Sequence, residues 1–415
     1  MFVSHRPMMP TVDKNRAPIL ALNSGSSSVR FAVFNGEPEG ARLLAGKFDR
    51  IGLAGSELVF TEAASGRKSK REVPLVNHEA CLPLLEGLLK EQGLEKIGAV
   101  GHRIVHGGPA YTAPARVSEG LLEDLRRLEP FAPNHLPSAV SLMEFLVTTR
   151  PGIPQVACFD TAFHHGLPPE ARLMPIARRY AAEGVRRYGF HGLAFESVMA
   201  ELARRGAVPG RIVLAHLGNG ASMAAVRDGR SIDTTMGFTP AGGLVMSTRS
   251  GDIDPGLITF LLARGVEAGH FQRMFSAESG LLGLSEVSSD MRDLLEREAT
   301  DPRAAEAIAV FCHQARKFIG ALAAVLGGLD ALIFSGGIGE NAPVIRERLC
   351  ADFEFLGLTL DPARNAAGGP MISEDRSRVQ VQVVPADEEI ILARAARSVL
   401  ADVSQPPALS PAHLR

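Results

Sequence analysis

The stretch Ile19 to Phe34, ILALNSGSSSVRFAVF, contains two apolar, β-prone runs joined by a turn of asparagine, serine and glycine. This pattern predicts a β-hairpin. The turn offers hydroxyls, a carboxamide and, around Gly25, backbone N–H groups, which together can bind phosphate oxygens without net charge. Taken alone, an ordinary serine- and glycine-rich hairpin is the better interpretation.

The same pattern returns at Arg211 to Val226, RIVLAHLGNGASMAAV, where a glycine-asparagine-glycine turn separates two apolar runs. Two such hairpins at a domain-scale separation favour a duplicated domain, with a nucleotide held between two related halves. A third segment, Asp330 to Asn341, reads as strand, glycine turn and helix. That order is typical of nucleotide-binding folds, although the segment lacks the full dinucleotide fingerprint.

Composition narrows the possible functions. The chain has 415 residues with 46% apolar residues, so at least two domains are expected. A net charge of −2 argues against binding to nucleic acid or to an anionic membrane. No uncharged helical run reaches the ~20 residues that span a bilayer. The four scattered cysteines favour reduced thiols in a cytoplasmic protein.

The two ends of the chain lack the patterns of folded elements. Residues 1–18 have no apolar core of a signal peptide, so we expect a flexible leader. Residues 404–415 are rich in proline, and we expect a disordered tail.

Charged residues at glycine-rich strand ends are the first candidates for a site. Arg103 lies in GHRIVHGG, where a ligand can reach it, although a surface arginine explains the stretch equally well. His102 and His106 do not form a metal pair there, because residues four apart on a strand are ~13 Å apart. Asp160 follows an apolar strand, and carboxylates at such strand ends often face a ligand crevice.

A long irregular segment, Thr234 to Gly256, is rich in glycine and turn residues yet too apolar for a disordered linker. Ordered loops of this length are usually functional. Within it, Arg249 can place its guanidinium against a phosphoryl oxygen or a carboxylate. His135, between Pro133 and Pro137, is held in a rigid corner, and the stretch alone favours a structural role for it.

Nine motifs in this order resemble the acetate kinase family over essentially Ile19 to Val403: LNSGSSSVRF, GHRIVHGG, FDTAFH, RRYGFHG, HLGNG, DTTMGFTPAGGLVMSTRSGDIDPG, SGLLGLSEVSSDMRD, FSGGIGEN and PADEE. The family belongs to the superfamily of sugar kinases, Hsp70 and actin. The resemblance therefore implies an α/β fold of two duplicated RNase-H-like domains with a central nucleotide cleft. We expect one domain over 19–163, completed by a helix over 390–403, and the other over 164–389.

The resemblance also implies the residues of the site. The catalytic residues would be Arg103, His135, Asp160, His191 and Arg249, and the metal site would contain Asn23 and Glu388. The ATP-binding residues would be Ser28, Arg30, His216, Asn219, Gly220, Asp290, Met291, Arg292, Gly337, Ile338 and Asn341. The substrate pocket would contain Arg103, Val105, Asn134, Phe190 and Pro240.

The activity that the resemblance implies is reversible, direct in-line transfer of phosphate from ATP to acetate by a homodimer, with Mg²⁺ or Mn²⁺. A carboxylate is already ionised at pH 7 and needs no general base. It must overcome repulsion from the phosphate, so two arginines, a histidine and a metal suit the reaction. Three alternatives remain: a kinase for another short acid such as propionate, a sugar or polyol kinase with Asp160 as base, and a non-catalytic ATP-driven clamp.

The sequence departs from the family pattern at four places. Arg30 replaces a lysine, and Gly242 replaces a common glutamate. Leu193 to Phe195 replace Thr-Ser-His, which removes an expected polar support beneath His191. Asn134 replaces an apolar residue of the acyl pocket. We expect its amide to bond the backbone of its own proline-flanked turn, leaving an ordinary acetate pocket. The alternative is that the amide faces inward and favours a short acid with a polar substituent.

Overall fold

The computed structural model describes residues 17–37, 40–206 and 208–403. The expected tail, and all but the last two residues of the expected leader, lie outside these ranges. The described strands are β1 (Ile19–Ser24), β2 (Ser28–Phe34), β3 (Arg42–Asp49), β4 (Glu57–Glu62), β5 (Lys68–Glu72), β6 (Ala99–Ile104), β7 (Ala115–Arg116), β8 (Gln155–Phe159), β9 (Arg211–Leu217), β10 (Ala221–Arg227), β11 (Arg230–Thr234), β12 (Ala331–Ser335) and β13 (Gln380–Val383).

The described α-helices are α1 (Cys81–Glu91), α2 (Glu119–Leu128), α3 (Leu136–Thr149), α4 (Pro169–Arg172), α5 (Arg179–Ala182), α6 (Gly192–Arg205), α7 (Gly256–Ala263), α8 (Ala268–Ala277), α9 (Gly280–Ser285), α10 (Met291–Arg297), α11 (Pro302–Leu326), α12 (Gly336–Asn341), α13 (Pro343–Cys350), α14 (Pro362–Ala367) and α15 (Glu388–Val403).

The chain divides into two compact units. The second unit comprises Val105–Thr112 and Asp160–Asp387, and the first comprises the other described residues. The change after Phe159 comes slightly before the expected boundary at residue 163. Val105–Thr112 belongs to the second unit because this segment packs there: the His106 ring lies 4.4 Å from the ring of Tyr188, centroid to centroid.

The sheet of the first unit has the strand order β5-β4-β3-β2-β1-β6-β8-β7. The strands β1 and β2 form the predicted hairpin, which is antiparallel with Asn23 opposite Arg30. On its other side β1 pairs in parallel with β6, and β6 pairs in parallel with β8. Leu20 and Leu22 face the core beneath α1 and α3. The intervening Ala21 is paired with Gly101, which lies against α15.

The sheet of the second unit has the order β11-β10-β9-β12-β13. The predicted second hairpin, β9 and β10, is antiparallel, whereas β9 pairs in parallel with β12 and β12 with β13. This order and these directions repeat those of β3-β2-β1-β6-β8 in the first unit. The α/β fold class is confirmed, and the repeated strand order agrees with the predicted duplication.

Among the described residues, one helix, α11, is long and apolar enough to cross a membrane. Its buried residues recur every three or four positions, from Ala304 through Phe311 to Leu326. Charged residues such as Arg316 and Lys317 occupy other positions of the helix. This spacing is typical of an amphipathic helix with one face on a protein core, and α11 packs against β9 and β10.

The close approach of β6 to α15 yields a stability prediction. A Cβ added to Gly101 would lie 2.5 Å from the backbone oxygen of Leu392, which cannot rotate away. We expect Gly101→Ala to destabilise the protein by ~1 to 3 kcal/mol, seen as a lower midpoint of urea unfolding followed by circular dichroism. Gly320→Ala is the control, because no atom outside its chain neighbours and its own helix backbone lies within 4 Å of its added Cβ.

The control should leave the midpoint unchanged or raise it, since glycine inside a helix costs ~0.5 to 1 kcal/mol relative to alanine. Equal midpoints for Gly101→Ala and the wild type would show that β6 and α15 are not packed as described.

Candidate active site

The first group of candidate residues surrounds Asn23 in the first unit. Leu22 pairs with His102 in the parallel register, which puts Asn23 and Arg103 at the same level on adjacent strands. Arg103 Nη1 donates to Asn23 Oδ1 at 3.1 Å. Asn23 Nδ2 donates to Glu388 Oε2 at 2.8 Å, and Arg103 Nε lies 3.6 Å from the same oxygen. The structure thus brings together three predicted residues that are far apart in the sequence.

Glu389 joins this group, although it was not among the predicted site residues. Asn23 Nδ2 also donates to Glu389 Oε1 at 3.1 Å. Burial, and then the charge of Glu388, raise the pKa of the Glu389 carboxyl above its ordinary value. The three consecutive acids of the PADEE motif, Asp387 to Glu389, were the signal in the sequence that could have identified it.

The oxygens of this group match the chemistry of Mg²⁺. The described residues contain no cluster of three or more His, Cys, Asp or Glu side chains suited to a metal. Mg²⁺ is commonly held by only one or two carboxylates, with phosphate oxygens and waters completing the shell. The Glu388 carboxylate meets that need. Asn23 offers one neutral oxygen, Oδ1, which accepts a hydrogen bond from Arg103. The Glu388 carboxylate is charged and has a second oxygen beside the one that Asn23 and Arg103 contact, so Glu388 suits Mg²⁺ better as a ligand.

The second group is built around His191 in the second unit. His191 precedes α6 in the left-handed conformation, with φ of 59°. The next residue, Gly192, donates its N–H to the carbonyl of Asp160 at 2.9 Å, and an added Cβ there would lie 2.1 Å from that oxygen. Only glycine therefore allows the chain to pass Asp160 and present the imidazole.

A polar support for His191 comes from another strand. Its Nδ1 lies 2.9 Å from Ser222 Oγ on β10. The expectation that this support is missing was wrong, because it considered only the residues that follow Gly192. Those residues, including Leu193 and Phe195, are buried in the core instead. No local pattern marks Ser222, since its contact depends on the packing of α6 against the second sheet.

Arg249 reaches the same place from the long loop. A Cβ on Gly220 would lie 2.9 Å from His191 Nε2 and 3.6 Å from Arg249 Nη1. The turn between β9 and β10 therefore lies beside both the imidazole and the guanidinium. Arg249 Nη1 donates to the carbonyl of Pro240 at 3.1 Å, which orients the guanidinium.

His216 and the start of α12 adjoin this turn. The ring centroids of His216 and His191 are 5.0 Å apart, and His216 Nδ1 lies 3.2 Å from Ser335 Oγ. A Cβ on Gly218 would lie 3.6 Å from the backbone nitrogen of Gly337. Parallel pairing of β9 with β12 accounts for this proximity. Asn219, at the tip of the turn, is exposed.

The other predicted ATP-binding residues are more dispersed. Asp290 caps α10, and its carboxylate accepts from Arg292 Nε at 3.0 Å and Nη2 at 2.6 Å, while Met291 is buried. Asn341 Nδ2 donates to the carbonyl of Gly337 at 3.0 Å, and Ile338 is half-buried.

Ser28 and Arg30 lie on β2 of the first unit. The Gly25 N–H, in the turn whose N–H groups were candidates for phosphate binding, donates to the carbonyl of Ser28 at 2.7 Å and closes the hairpin turn.

The predicted acyl-pocket residues lie in both units. Val105 and Phe190 are buried in the second unit, which also contains Pro240. Asn134 and His135 precede α3 in the first unit.

The expected bond from the Asn134 amide to its own turn is absent from the described part of the chain, and the side chain is exposed. The turn is closed by the backbone instead, since the N–H groups of His135 and Leu136 both donate to the carbonyl of Ala132 at 3.0 Å.

The chain is similar in sequence and in fold to known proteins. Residues 18–394 match the sequence model of the acetokinase family. The chain is similar to an acetate kinase of Rhodopseudomonas palustris, with 42% identity over 388 residues that cover 91% of this chain and 96% of the relative.

Two solved structures resemble the fold over 92% of this chain and 100% of theirs. One is Porphyromonas gingivalis acetate kinase, with 37% identity and a TM-score of 0.83. The other is a propionate kinase from Francisella tularensis, with 34% identity and a TM-score of 0.86.

A buried histidine behind the site yields a prediction about acid. His164 Nε2 lies 3.1 Å from the carbonyl of Phe190, so it donates, and Nδ1, 2.8 Å from Ser231 Oγ, then accepts. Burial lowers the pKa of His164 to about 4. The unfolded chain takes up a proton near pH ~6.5 and the folded chain does not. Stability should therefore be full above that pH and fall as the pH drops toward 4.

We expect His164→Asn, whose amide can both donate and accept, to reduce proton uptake on unfolding near pH 5 by about one proton. The measurement is the pH dependence of the thermal midpoint. His165→Asn is the control, because His165 is exposed. Parallel pH profiles for His164→Asn and the wild type would mean that His164 is not held neutral.

Proposed function

Because the chain belongs to the acetokinase family, we propose that it transfers the γ-phosphoryl group of ATP to the carboxylate of acetate, giving acetyl phosphate and ADP. The bond from acetate oxygen to γ-phosphorus forms while the bond from that phosphorus to the β–γ bridging oxygen breaks. The reaction is reversible, since an acyl phosphate is itself a strong donor. The observation that supports this best is the placement of His191 and Arg249 beside the glycine turn between β9 and β10.

The reaction needs charge neutralisation rather than proton transfer. Acetate is ionised at pH 7, so the barrier includes repulsion between two anions. Arg249, half-buried and oriented by the carbonyl of Pro240, presents fixed N–H donors to a phosphoryl oxygen. Arg103 has the same role in the first unit, where Asn23 and Glu388 hold its guanidinium.

His191 acts as a second type of donor. Its Nδ1 is paired with Ser222, so Nε2 is the nitrogen on the side of Gly220. In this position Nε2–H can donate to a phosphoryl oxygen as negative charge moves during transfer. Asp160 holds Gly192 through its carbonyl and thereby sets the position of His191. We assign its carboxylate to the catalytic set on the family resemblance.

Glu388 would hold Mg²⁺, or Mn²⁺ in its place, and the bound ion would neutralise charge on the phosphates of ATP. Asn23 fastens Glu388 and Arg103 in the same group. The remaining assignments follow the resemblance. ATP would contact Ser28, Arg30, His216, Asn219, Gly220, Asp290, Met291, Arg292, Gly337, Ile338 and Asn341, and the acyl group would contact Val105, Asn134, Phe190 and Pro240, with His135 in support.

We also propose a cytoplasmic homodimer. The helix α7 has the sequence GLITFLLA, and none of its residues is buried. Phe260 is 52% exposed and Leu262 is 45% exposed. A continuous apolar surface of this kind marks an interaction site. A second copy of the chain can cover it with the same surface, as two-fold symmetry allows.

The function is tested by incubating the protein with ATP, Mg²⁺ and acetate and trapping the acyl phosphate with hydroxylamine. Arg249→Ala and Arg103→Ala should each lower kcat by ~10²-fold or more, because each removes a charge that stabilises the transition state. Arg376→Ala, which changes an exposed arginine, is the control. Near-normal turnover in both variants would refute the assignment. Phosphorylation of glycerol or glucose but not acetate would identify a sugar or polyol kinase.

Propionate is the second candidate substrate, since one similar structure is a propionate kinase. An added methylene is worth only ~0.8 kcal/mol of burial, so apolar contacts alone separate the two acids by ~10 to 200-fold at most.

The exposed Asn134 amide can be satisfied by water and need not face the substrate. We therefore expect acetate to be used better than glycolate, and Asn134→Leu to change the ratio of their kcat/KM values by less than about threefold. If glycolate is better in the wild type and loses its advantage in Asn134→Leu, the amide faces the substrate and acetate is not preferred.

A further inference from the structure

Arg346, on α13, is a buried cation whose described partners are all uncharged. The side chain is 1% exposed. Its Nε donates to Asn365 Oδ1 at 2.9 Å, and its Nη2 donates to the Asn365 carbonyl at 2.7 Å. Its Nη1 donates to the carbonyls of Gly339 and Glu340, both at 2.9 Å. No carboxylate of the described residues forms an ion pair with it.

This arrangement is costly if stability is its only purpose. A buried charge loses its hydration, and carbonyl dipoles compensate for that loss less fully than a carboxylate would. Well-packed apolar side chains often stabilise such a position equally well or better. The planar guanidinium has another property, which is that it fixes the relative positions of the several oxygens that it binds.

The oxygens that Arg346 binds belong to α12 and to α14. The helix α12 has only six residues, too few to be stable by itself. At its C-terminal end, Arg346 binds two carbonyls, where a cation also interacts favourably with the helix dipole. At its N-terminal end, Gly336 N–H donates to Glu340 Oε1 at 2.8 Å, and the same oxygen accepts from Ala386 N–H at 3.3 Å. The short helix is therefore held at both ends.

We propose that Arg346 is a positioning residue for nucleotide binding, which acts by fixing α12 and never touches the nucleotide. This inference rests on the proposed function, in which Gly337, Ile338 and Asn341 of α12 contact ATP. Gly337 and Asn341 are exposed, whereas the guanidinium lies behind them in the core. A small displacement of α12 would move all three contacts together, since they lie on a single short helix.

The test is Arg346→Lys. Lysine keeps the charge but offers one ammonium group, which cannot bind α12 and Asn365 in the same fork-like manner. The matched control is Arg348→Lys on the same helix, where the arginine pairs with Glu298 through contacts of 2.6 and 2.9 Å. The measurements are the Kd for ADP by calorimetry, the KM for ATP and for acetate, and the thermal midpoint.

We expect Arg346→Lys to raise the ADP Kd and the ATP KM by about tenfold, with the KM for acetate within about twofold of the wild type. Arg348→Lys should leave the ADP Kd and the KM values for ATP and acetate within about twofold of the wild type. A lower thermal midpoint with unchanged ADP affinity would overturn the inference and leave Arg346 a purely structural role. Equal increases in the KM values of ATP and acetate would also overturn it. If Arg346→Lys does not fold, Arg346→Gln is judged by the same criteria.

The calorimetric measurement separates this inference from the proposed function. A wild-type protein that binds ADP but forms no acyl hydroxamate would refute the acetate kinase activity, and the ADP affinities would still decide the role of Arg346. A wild-type protein that does not bind ADP would overturn the inference regardless of any activity.

Discussion

Parallel pairing at the centre of each sheet is the constraint on which both groups of candidate residues depend. In the first unit β1 pairs in parallel with β6, and in the second β9 pairs in parallel with β12. Parallel strands end at the same edge of a sheet, which is where ligands bind in α/β folds. Asn23 therefore lies beside Arg103. A shift of one residue in the pairing of β1 with β6, or of β9 with β12, would turn the candidate side chains on the shifted strand to the opposite face of the sheet.

Close backbone approach then determines the geometry of the second group. Gly192 passes the carbonyl of Asp160, and Gly220 leaves space for the imidazole and for the guanidinium of Arg249. The absence of side chains at these two glycines is as important as the presence of the polar groups. The hydrogen bond between His191 and Ser222, and the one that Arg249 donates to the Pro240 carbonyl, hold the two candidate side chains in place. Such preorganisation is what the stabilisation of a charged transition state requires.

Several expectations followed from local features of the chain and agree with the structure. Both hairpins have the predicted strands, because alternating apolar residues and glycine-rich turns specify them locally. Local reasoning was wrong for Asn134, whose amide remains exposed because the backbone alone closes its turn. The Gly25 N–H binds within its turn, as in an ordinary hairpin. The domain boundaries and the site residues remain predictions.

The sequence by itself determined the two hairpins, the α/β class and the acetokinase family, since these depend on periodicity, turn chemistry and motifs that each lie within a short segment. Only the tertiary structure decided which side chains meet. Asn23 and Glu388 are 365 positions apart, and His191 and Ser222 are 31 apart. Such pairs form because packed strands and helices bring distant segments to the same point. The local sequence around either residue does not indicate its partner.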